Sequence, residues 1–179
     1  MESESKPETC PCDFSRLTPG WPDGDPRDIQ RQLMATFLRQ YGDDLPEQVI
    51  AEAVLDEMLP RWHMRCSCED PSEIVAAAHW KPSDWYLCTL SGLAVKTELR
   101  DKGLGREAVR EVADKAAEDP RCLVLAADVT YDNERSKHSL RSAGFQDVSR
   151  FCFGEGERPA DIMHYIRYRP TDQAQCKAP

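Results

Sequence analysis

Leu90-Ser91-Gly92-Leu93-Ala94-Val95-Lys96-Thr97-Glu98-Leu99-Arg100-Asp101-Lys102-Gly103-Leu104-Gly105-Arg106-Glu107-Ala108-Val109 is the stretch from which the rest of the chain is read. Its apolar first part, ending at Val95, has the character of a strand. The polar turn Arg100-x-x-Gly103-x-Gly105 follows, and helical spacing of apolar residues opens at once. Strand, glycine turn and helix in that order receive a phosphate. The first backbone N–H groups of a helix have no internal partner, and the helix dipole puts positive potential there. Glycine at 103 and 105 lets an anion approach the backbone without a Cβ in the way. Arg100, Lys102 and Arg106 add positive charge to the same turn. Taken alone, a glycine pair before a helix is equally an ordinary strand-to-helix connection, so the flanking chain decides.

Downstream, Ala108, Val109, Val112 and Ala116 make one apolar stripe of a helix that stops at Asp119-Pro120. Cys122 to Val129 is a nearly continuous apolar run, as in a strand covered on both faces. A strand, a crossover helix and a strand imply parallel pairing between the runs ending at Val95 and Val129. Asn133 to Ala143 is a short helix closed by Gly144. Phe145 to Phe153 and Met163 to Tyr168 are two last strands, joined by the polar segment from Gly154 to Pro159.

Upstream, Trp62 to Cys68, Glu73 to Trp80 and Trp85 to Val95 are three strand-like runs separated by Glu69-Asp70-Pro71-Ser72 and Lys81-Pro82-Ser83-Asp84, the pattern of an antiparallel meander. Before them, Ile29, Leu33, Met34, Phe37 and Leu38 recur at helical spacing after Asp25 as N-cap and Pro26 at the first helical position. Pro46 opens a second amphipathic helix carrying Val49, Ile50, Ala53, Val54, Met58 and Leu59 and ended by Pro60. Cys12 to Leu17 alternates weakly and reads as a short first strand. Residues 1–9 read as a disordered lead, 10–170 as one domain and 171–179 as a flexible tail; no repeat or linker divides the domain.

At 179 residues and a formal charge of −9, the chain is large enough for a real core, and no basic face points to nucleic acid. No apolar run reaches membrane-spanning length and the N-terminus has no apolar signal core, so a soluble, cytoplasmic protein is expected. Eight cysteines without a signal peptide read as free thiols or metal ligands rather than a disulfide framework. Cys88, Cys122 and Cys152 sit in apolar runs, as small buried hydrophobes do.

The element order β-α-α-β-β-β-α-β-α-β-β, with a phosphate turn after the fourth strand, resembles the GNAT superfamily of acetyl-CoA-dependent N-acetyltransferases. Two segments carry the likeness. Leu93-Ala94-Val95 followed by Arg100-Asp101-Lys102-Gly103-Leu104-Gly105 is similar to the family's acetyl-CoA signature, and Asn133-Glu134-Arg135-Ser136 with Ala143-Gly144-Phe145 is similar to its second signature. The resemblance implies an α/β fold, with a mixed central sheet of six to seven strands flanked by about four helices. It implies that the amides from Lys102 to Arg106 hold the pyrophosphate of coenzyme A and that the pantetheine arm pairs with backbone near Leu93 and Val95. It further implies that the Val95 N–H polarises the acetyl carbonyl and that Asn133 and Ser136 contact the cofactor from the other side. Acetyl transfer to a primary amine, by direct attack in a ternary complex, follows. A small cationic amine or a protein amine is the expected acceptor, and a monomer or homodimer is expected. Many family members carry a general-acid tyrosine seven residues after the Asn; here that residue is Leu140, which cannot donate a proton. A non-catalytic acyl-CoA-binding sensor or scaffold is therefore the alternative.

An alkylamine of pKa about 10 is mostly protonated at neutral pH and needs a proton acceptor. Asp128, Tyr131 and His138 are the candidates, against the plainer readings of Asp128 as a turn cap and His138 as a surface helix residue. His164 and Tyr165 fall on the last strand, where alternation puts them on opposite faces. Asp43, Asp44, Glu52, Asp56 and Glu57 lie on or near the first two helices, either as a lure for a cationic amine or as a solvated helix face. Cys10-Pro11-Cys12 and Cys66-Ser67-Cys68 form a matched pair that antiparallel strands would bring together. Reduced, partly buried thiols are the leading reading; a zinc site, with His63 as a lesser ligand, is the other, although zinc spacings are usually C-x₂₋₄-C.

Overall fold

In the computed structural model of the protein, the described residues are 8–12, 26–42, 45–55, 58–70, 72–84, 86–152 and 159–166. Seven strands and four α-helices follow in the expected order: β1 (Thr9–Pro11), α1 (Pro26–Tyr41), α2 (Glu47–Ala53), β2 (Trp62–Ser67), β3 (Ile74–Asp84), β4 (Leu87–Val95), α3 (Leu104–Ala116), β5 (Val124–Thr130), α4 (Glu134–Ser142), β6 (Gln146–Cys152) and β7 (Pro159–Ile166). Short 3₁₀ turns cover Leu59–Arg61 and Thr97–Leu99. One mixed sheet runs in the order β1-β2-β3-β4-β5-β7-β6. Only the central β4–β5 pair is parallel, as a crossover through α3 requires; every other neighbour is antiparallel.

The sheet buries both faces. Leu104, Ala108, Val109, Val112, Ala113 and Ala116 of α3 pack with Leu140 and Phe145 against Val75, Ala78, Cys88, Leu90, Leu125 and Ala127. On the other face Met34, Phe37 and Leu38 of α1 and Ile50 of α2 cover Trp62, Met64, Cys66, Ala77 and Ala94. Ala76, Ala77 and Ala78 of β3 are fully buried, and their small side chains let both helical layers approach the strand. No helix among the described residues is long and apolar enough to cross a membrane.

Several boundaries differ from expectation for local reasons. Lys81-Pro82-Ser83-Asp84, expected as a turn, belongs to β3 and pairs with β4 through Lys81↔Thr89 and Pro82↔Cys88. The pairing of β2 with β3 ends at Trp62↔His79, so beyond it the outer edge of β3 is open and proline costs no ladder bond there. The second helix stops at Ala53, not at Pro60. The Trp62 indole N–H donates to the Ala53 carbonyl at 2.8 Å, taking an acceptor that a continuing helix would use; Val49 is left exposed and Leu59 reaches the core from its own 3₁₀ turn. The first strand is Thr9–Pro11 rather than Cys12–Leu17, of which residues 13–17 lie outside the described residues, as do Asp25, Gly154, the other predicted linker residues to 158, most of the lead and the tail. β7 begins at Pro159, four residues earlier than expected.

Candidate active site

β4 and β5 pair only from Leu87↔Val124 to Leu90↔Ala127. Beyond that rung β4 continues five residues to Val95 and β5 three to Thr130 with no partner across the gap, so the two strands part as a fork. A crevice occupies the fork, and a second hollow adjoins it at the start of α3. The inner hollow, about 470 Å³, is lined by Ser91, Gly92, Leu93, Asp128, Val129, Thr130, Asn133, Ser136 and Leu140 among others. The outer hollow, about 550 Å³, shares Leu93, Asn133 and Ser136 and adds Val95, Arg100, Lys102, Gly103, Gly105, Arg106, Arg135, His138 and Ser139.

On the β4 side the backbone is available. The Lys96 N–H donates to Val75 O on β3 at 3.0 Å. Peptide groups alternate edges along a strand, so the N–H groups of Leu93 and Val95 face away from β3, into the fork. The Val95 carbonyl accepts from Arg100 Nε at 3.3 Å, which anchors the turn to the strand end.

The turn is built by backbone geometry. Asp101 has φ 65° and Gly103 φ 83°, two left-handed positions in three residues, and Asp is among the few side-chain-bearing residues that tolerate this. Gly103 is the N-cap of α3 and contributes no side-chain cap, so the amides of Leu104, Gly105 and Arg106 have no partner earlier in the helix, and Gly103, Gly105 and Arg106 line the outer hollow. A Cβ at Gly103 would meet only Arg106 Nη2, at 3.6 Å; its requirement for glycine is conformational. Gly105 is a question of space. A Cβ there would sit 3.1 Å from Ser139 Oγ and 3.6 Å from Val95 Cγ2, in the narrow junction of α3, α4 and β4. Leu104 itself is buried in the core and contributes its amide alone.

Across the crevice, Asn133 caps α4: its Oδ1 accepts the Ser136 N–H at 3.0 Å. Both residues line the two hollows, but this side-chain oxygen and this amide are already paired. Leu140, where the resemblance led us to expect a tyrosine, is a core residue 2% exposed.

The three proton-acceptor candidates are dispersed. Leu125, Ala127 and Val129 belong to the α3-side core, so alternation puts Asp128 on the opposite face, exposed at the fork. His138 lines the outer crevice beside the phosphate turn. Tyr131 lies outside the crevice lining: its ring carries the Arg150 guanidinium at 3.8 Å and Lys137 Nζ at 4.6 Å. The buried Lys137 ammonium also ties the β5–α4 turn together through Tyr131 O and Glu134. His164 and Tyr165 pair through their backbones with Ala126 and Leu125.

One polar pair at the fork is absent from the sequence expectations. The register of β3 and β4 shifts between His79 and Trp80, where His79 pairs with Gly92 and Trp80 with Leu90, so Ser91 is the extra residue of a bulge. Ser91 Oγ and His79 Nδ1 are hydrogen-bonded at 2.5 Å. His79 is 4% exposed and packs against Trp62, with 4.8 Å between centroids and the rings tilted by 36°. Burial, with help from the charges of Lys81 and Arg61, pushes His79 down to about 4, so it is neutral at pH 7. Ser91 and Asp128 are thus the first residues past the last paired rung, one on each strand. The available sequence signal was a Ser-Gly break in an apolar strand and a lone histidine ending an alanine run.

The cysteine expectation is corrected. Cys12 and Cys66 form a disulfide, and His63 faces away from the sulfurs, paired with Glu111 of α3 at 2.6 Å. Among the described residues no group of three or more His, Cys, Asp or Glu is placed to hold a metal ion. Register explains this. Cys10 lies opposite Cys66, so Cys12 and Cys68 are displaced to opposite sides of that rung, too far apart for one ion.

The fold is shared with solved acetyltransferases. An aminoglycoside 6'-acetyltransferase type Ii is 17% identical, with a TM-score of 0.65 over 91% of this chain and 99% of the other. A chain of the NatC complex bound to Gag peptide and CoA is 14% identical, with a TM-score of 0.62 over 90% and 98%. The ribosomal-protein-S18-alanine N-acetyltransferase from Escherichia coli is 17% identical, with a TM-score of 0.60 over 79% and 91%. No curated protein matches the sequence at a significant level. The profile of the acetyltransferase (GNAT) family matches residues 27–145, which run from the start of α1 to the end of the α4 turn and include both the fork and the phosphate turn. The chain belongs to the acetyltransferase (GNAT) family.

Proposed function

We propose that the protein is an N-acetyltransferase that moves an acetyl group from acetyl-CoA to a primary amine by direct attack in a ternary complex. The observation that carries this reading is the pair of adjoining hollows, sharing Leu93, Asn133 and Ser136, that lie at the β4–β5 fork and at the start of α3. The residues fit the cofactor: the left-handed Gly103 bares the helix start, and the junction at Gly105 would be filled by a single Cβ. When bound, acetyl-CoA supplies an acetyl thioester, an electrophile whose thiolate leaves readily.

The chain's own residues divide the remaining work. The amides of Leu104, Gly105 and Arg106, with Arg100 and Lys102 beside them, hold the pyrophosphate. Leu93 and Val95 offer strand-edge backbone to the pantetheine arm, and the Val95 N–H is the proposed donor to the carbonyl oxygen, where developing negative charge is stabilised. The NH₂ of Asn133, free of the cap's acceptor role, and the Ser136 hydroxyl bound the opposite wall. Asp128 is the proposed proton acceptor, because it alone of the three candidates sits at the fork. Ser91, held by neutral His79, faces the same space and orients the amine. Similar folds in an aminoglycoside acetyltransferase and a ribosomal-protein alanine acetyltransferase leave two acceptor classes, a small cationic amine or a protein amine. The second reading, an acyl-CoA-binding protein without turnover, is favoured by one observation: Leu140 is packed in the core and supplies no proton.

The test is release of free thiol from acetyl-CoA across a panel of polyamines, aminoglycosides and peptides with free N-termini. The proposal expects amine-dependent thiol release with an acetylated product in the mass spectrum. Thermal stabilisation by coenzyme A with no release for any amine would favour the second reading, and no stabilisation would refute both.

A further inference from the structure

The four cysteines of the β1–β2 edge are unused by the acetyl-transfer reading, and their order is informative. Cys10 lies directly opposite Cys66 in the antiparallel register. Residues two apart on a strand share a face, so Cys12 and Cys68 stand on the same face, two residues to either side. Cys12 is bonded to Cys66 with 5.1 Å between Cα atoms, and the Cys68 thiol hydrogen-bonds Cys10. The sulfurs therefore form a staggered row, Cys68–Cys10–Cys66–Cys12, in which each neighbours the next. Burial differs along it: Cys68 is exposed, Cys10 and Cys12 are half-buried, and Cys66 is fully buried beneath α1. An external reagent meets Cys68 first and has no direct approach to Cys66.

We propose that this row is a thiol–disulfide exchange site, separate from the acetyltransferase crevice, whose substrates are small thiols and disulfides that react at Cys68. The Cys10 thiolate attacks Cys66 Sγ, forming a Cys10–Cys66 bond; the Cys12–Cys66 bond breaks and Cys12 leaves as a thiolate that takes a proton. Cys68 then loses its proton and attacks Cys10 Sγ, forming Cys10–Cys68 and releasing Cys66, which is protonated in turn. The two steps consume no oxidant or reductant and move one disulfide from the pair that includes the buried Cys66 to the exposed end of the row. Two molecules of an external thiol then reduce Cys10–Cys68, the first forming a mixed disulfide with Cys68 and releasing Cys10, the second releasing Cys68 and leaving as the oxidised disulfide. The hydrogen bond to Cys10 is the largest of the influences that push the Cys68 thiol up, followed by partial desolvation, with Arg65 opposing. Cys10, directly opposite Cys66, is the first nucleophile by position. In-line neighbours are what exchange needs, since attack, bridging and leaving sulfurs must be adjacent and the attacker a thiolate.

The experiment uses the full chain, air-oxidised and freed of reductant. Peptide mapping after acid quench follows the disulfides at pH 8, first with no additive and then with reduced glutathione. The expected result is interconversion of Cys12–Cys66 and Cys10–Cys68 without additive, and reduction by glutathione slowed roughly tenfold in both Cys10→Ser and Cys10→Ala, whose relay is cut. Cys68→Ser retains a Cys10–Cys66 isomer and lacks the outer one. Absence of a Cys12–Cys66 bond after oxidation, a single isomer at all times, or unchanged reduction rates in both Cys10 variants would each overturn the proposal. None of these outcomes depends on whether acetyl transfer occurs, so the two readings fail separately.

Discussion

Gly103→Ala isolates the backbone geometry on which the phosphate turn depends. Gly103 sits at φ 83° and ψ 0°, and an added Cβ would meet nothing nearer than Arg106 Nη2 at 3.6 Å. Crowding therefore contributes nothing, and the whole cost is that of a left-handed backbone for a residue with a side chain, about 1–2 kcal/mol. In a chain of this size each kcal/mol moves Tm by about 2–4 °C, so the variant should melt roughly 2–8 °C below the parent. The sign is diagnostic. At an ordinary φ, the same substitution would stabilise by about 0.4–1 kcal/mol through the unfolded chain. Gly103→Asn should recover part of the loss, since Asn enters the left-handed region more readily. Scanning calorimetry with and without coenzyme A reads both effects, and stabilisation by the cofactor should shrink in Gly103→Ala because relaxing the turn turns its amides away. A variant as stable as the parent, or more so, would refute the left-handed turn and the cradle built on it.

Leu140→Ala should destabilise by about 2–5 kcal/mol in urea melts, the cost of a large buried side chain; a loss below 1 kcal/mol would place Leu140 outside the core. His79 supplies a pH signature. Its folded value, about 4, lies below the ordinary 6.5, so on acidification the unfolded chain binds a proton that the folded protein refuses. Its stability contribution is complete above pH 6.5 and is lost as pH falls towards 4, by roughly 3 kcal/mol in all. His79→Asn should lose less stability than the parent between pH 7 and pH 4.5, and parallel curves would contradict a buried neutral histidine. Asp128→Asn should lower kcat by about 10²–10⁴ with coenzyme A affinity unchanged, as removal of a general base does; unaltered kcat would move proton acceptance elsewhere.

Features set by local chemistry were legible in the residue order. The alternation of strand and helix, the left-handed glycine after α4 and the turn at Gly103 follow from apolar period and glycine placement, and each is found where the residues put it. Features set by distant partners were not. Pro82 looks like a turn residue until one knows that the outer edge of β3 is open there. The end of α2 is decided by an indole N–H from β2, nine residues on. The His79–Ser91 pair exists only through a bulge in the β3–β4 register. Antiparallel pairing of β1 and β2 was expected to bring the cysteines together, and it does, but a two-residue stagger separates a row of sulfurs from a four-cornered metal cage. Asn133 shows both sides: its place before α4 could be read from the sequence, while the commitment of its Oδ1 to the helix cap emerges only from the geometry.

The central claim is that the fork and the Gly103 turn together hold coenzyme A, and calorimetric titration of the intact chain with coenzyme A tests it most directly. The account predicts saturable binding at one site per chain, weakened when the crevice is filled by Gly105→Val. Absence of binding at millimolar cofactor, or binding that Gly105→Val leaves unchanged in a folded protein, would contradict it.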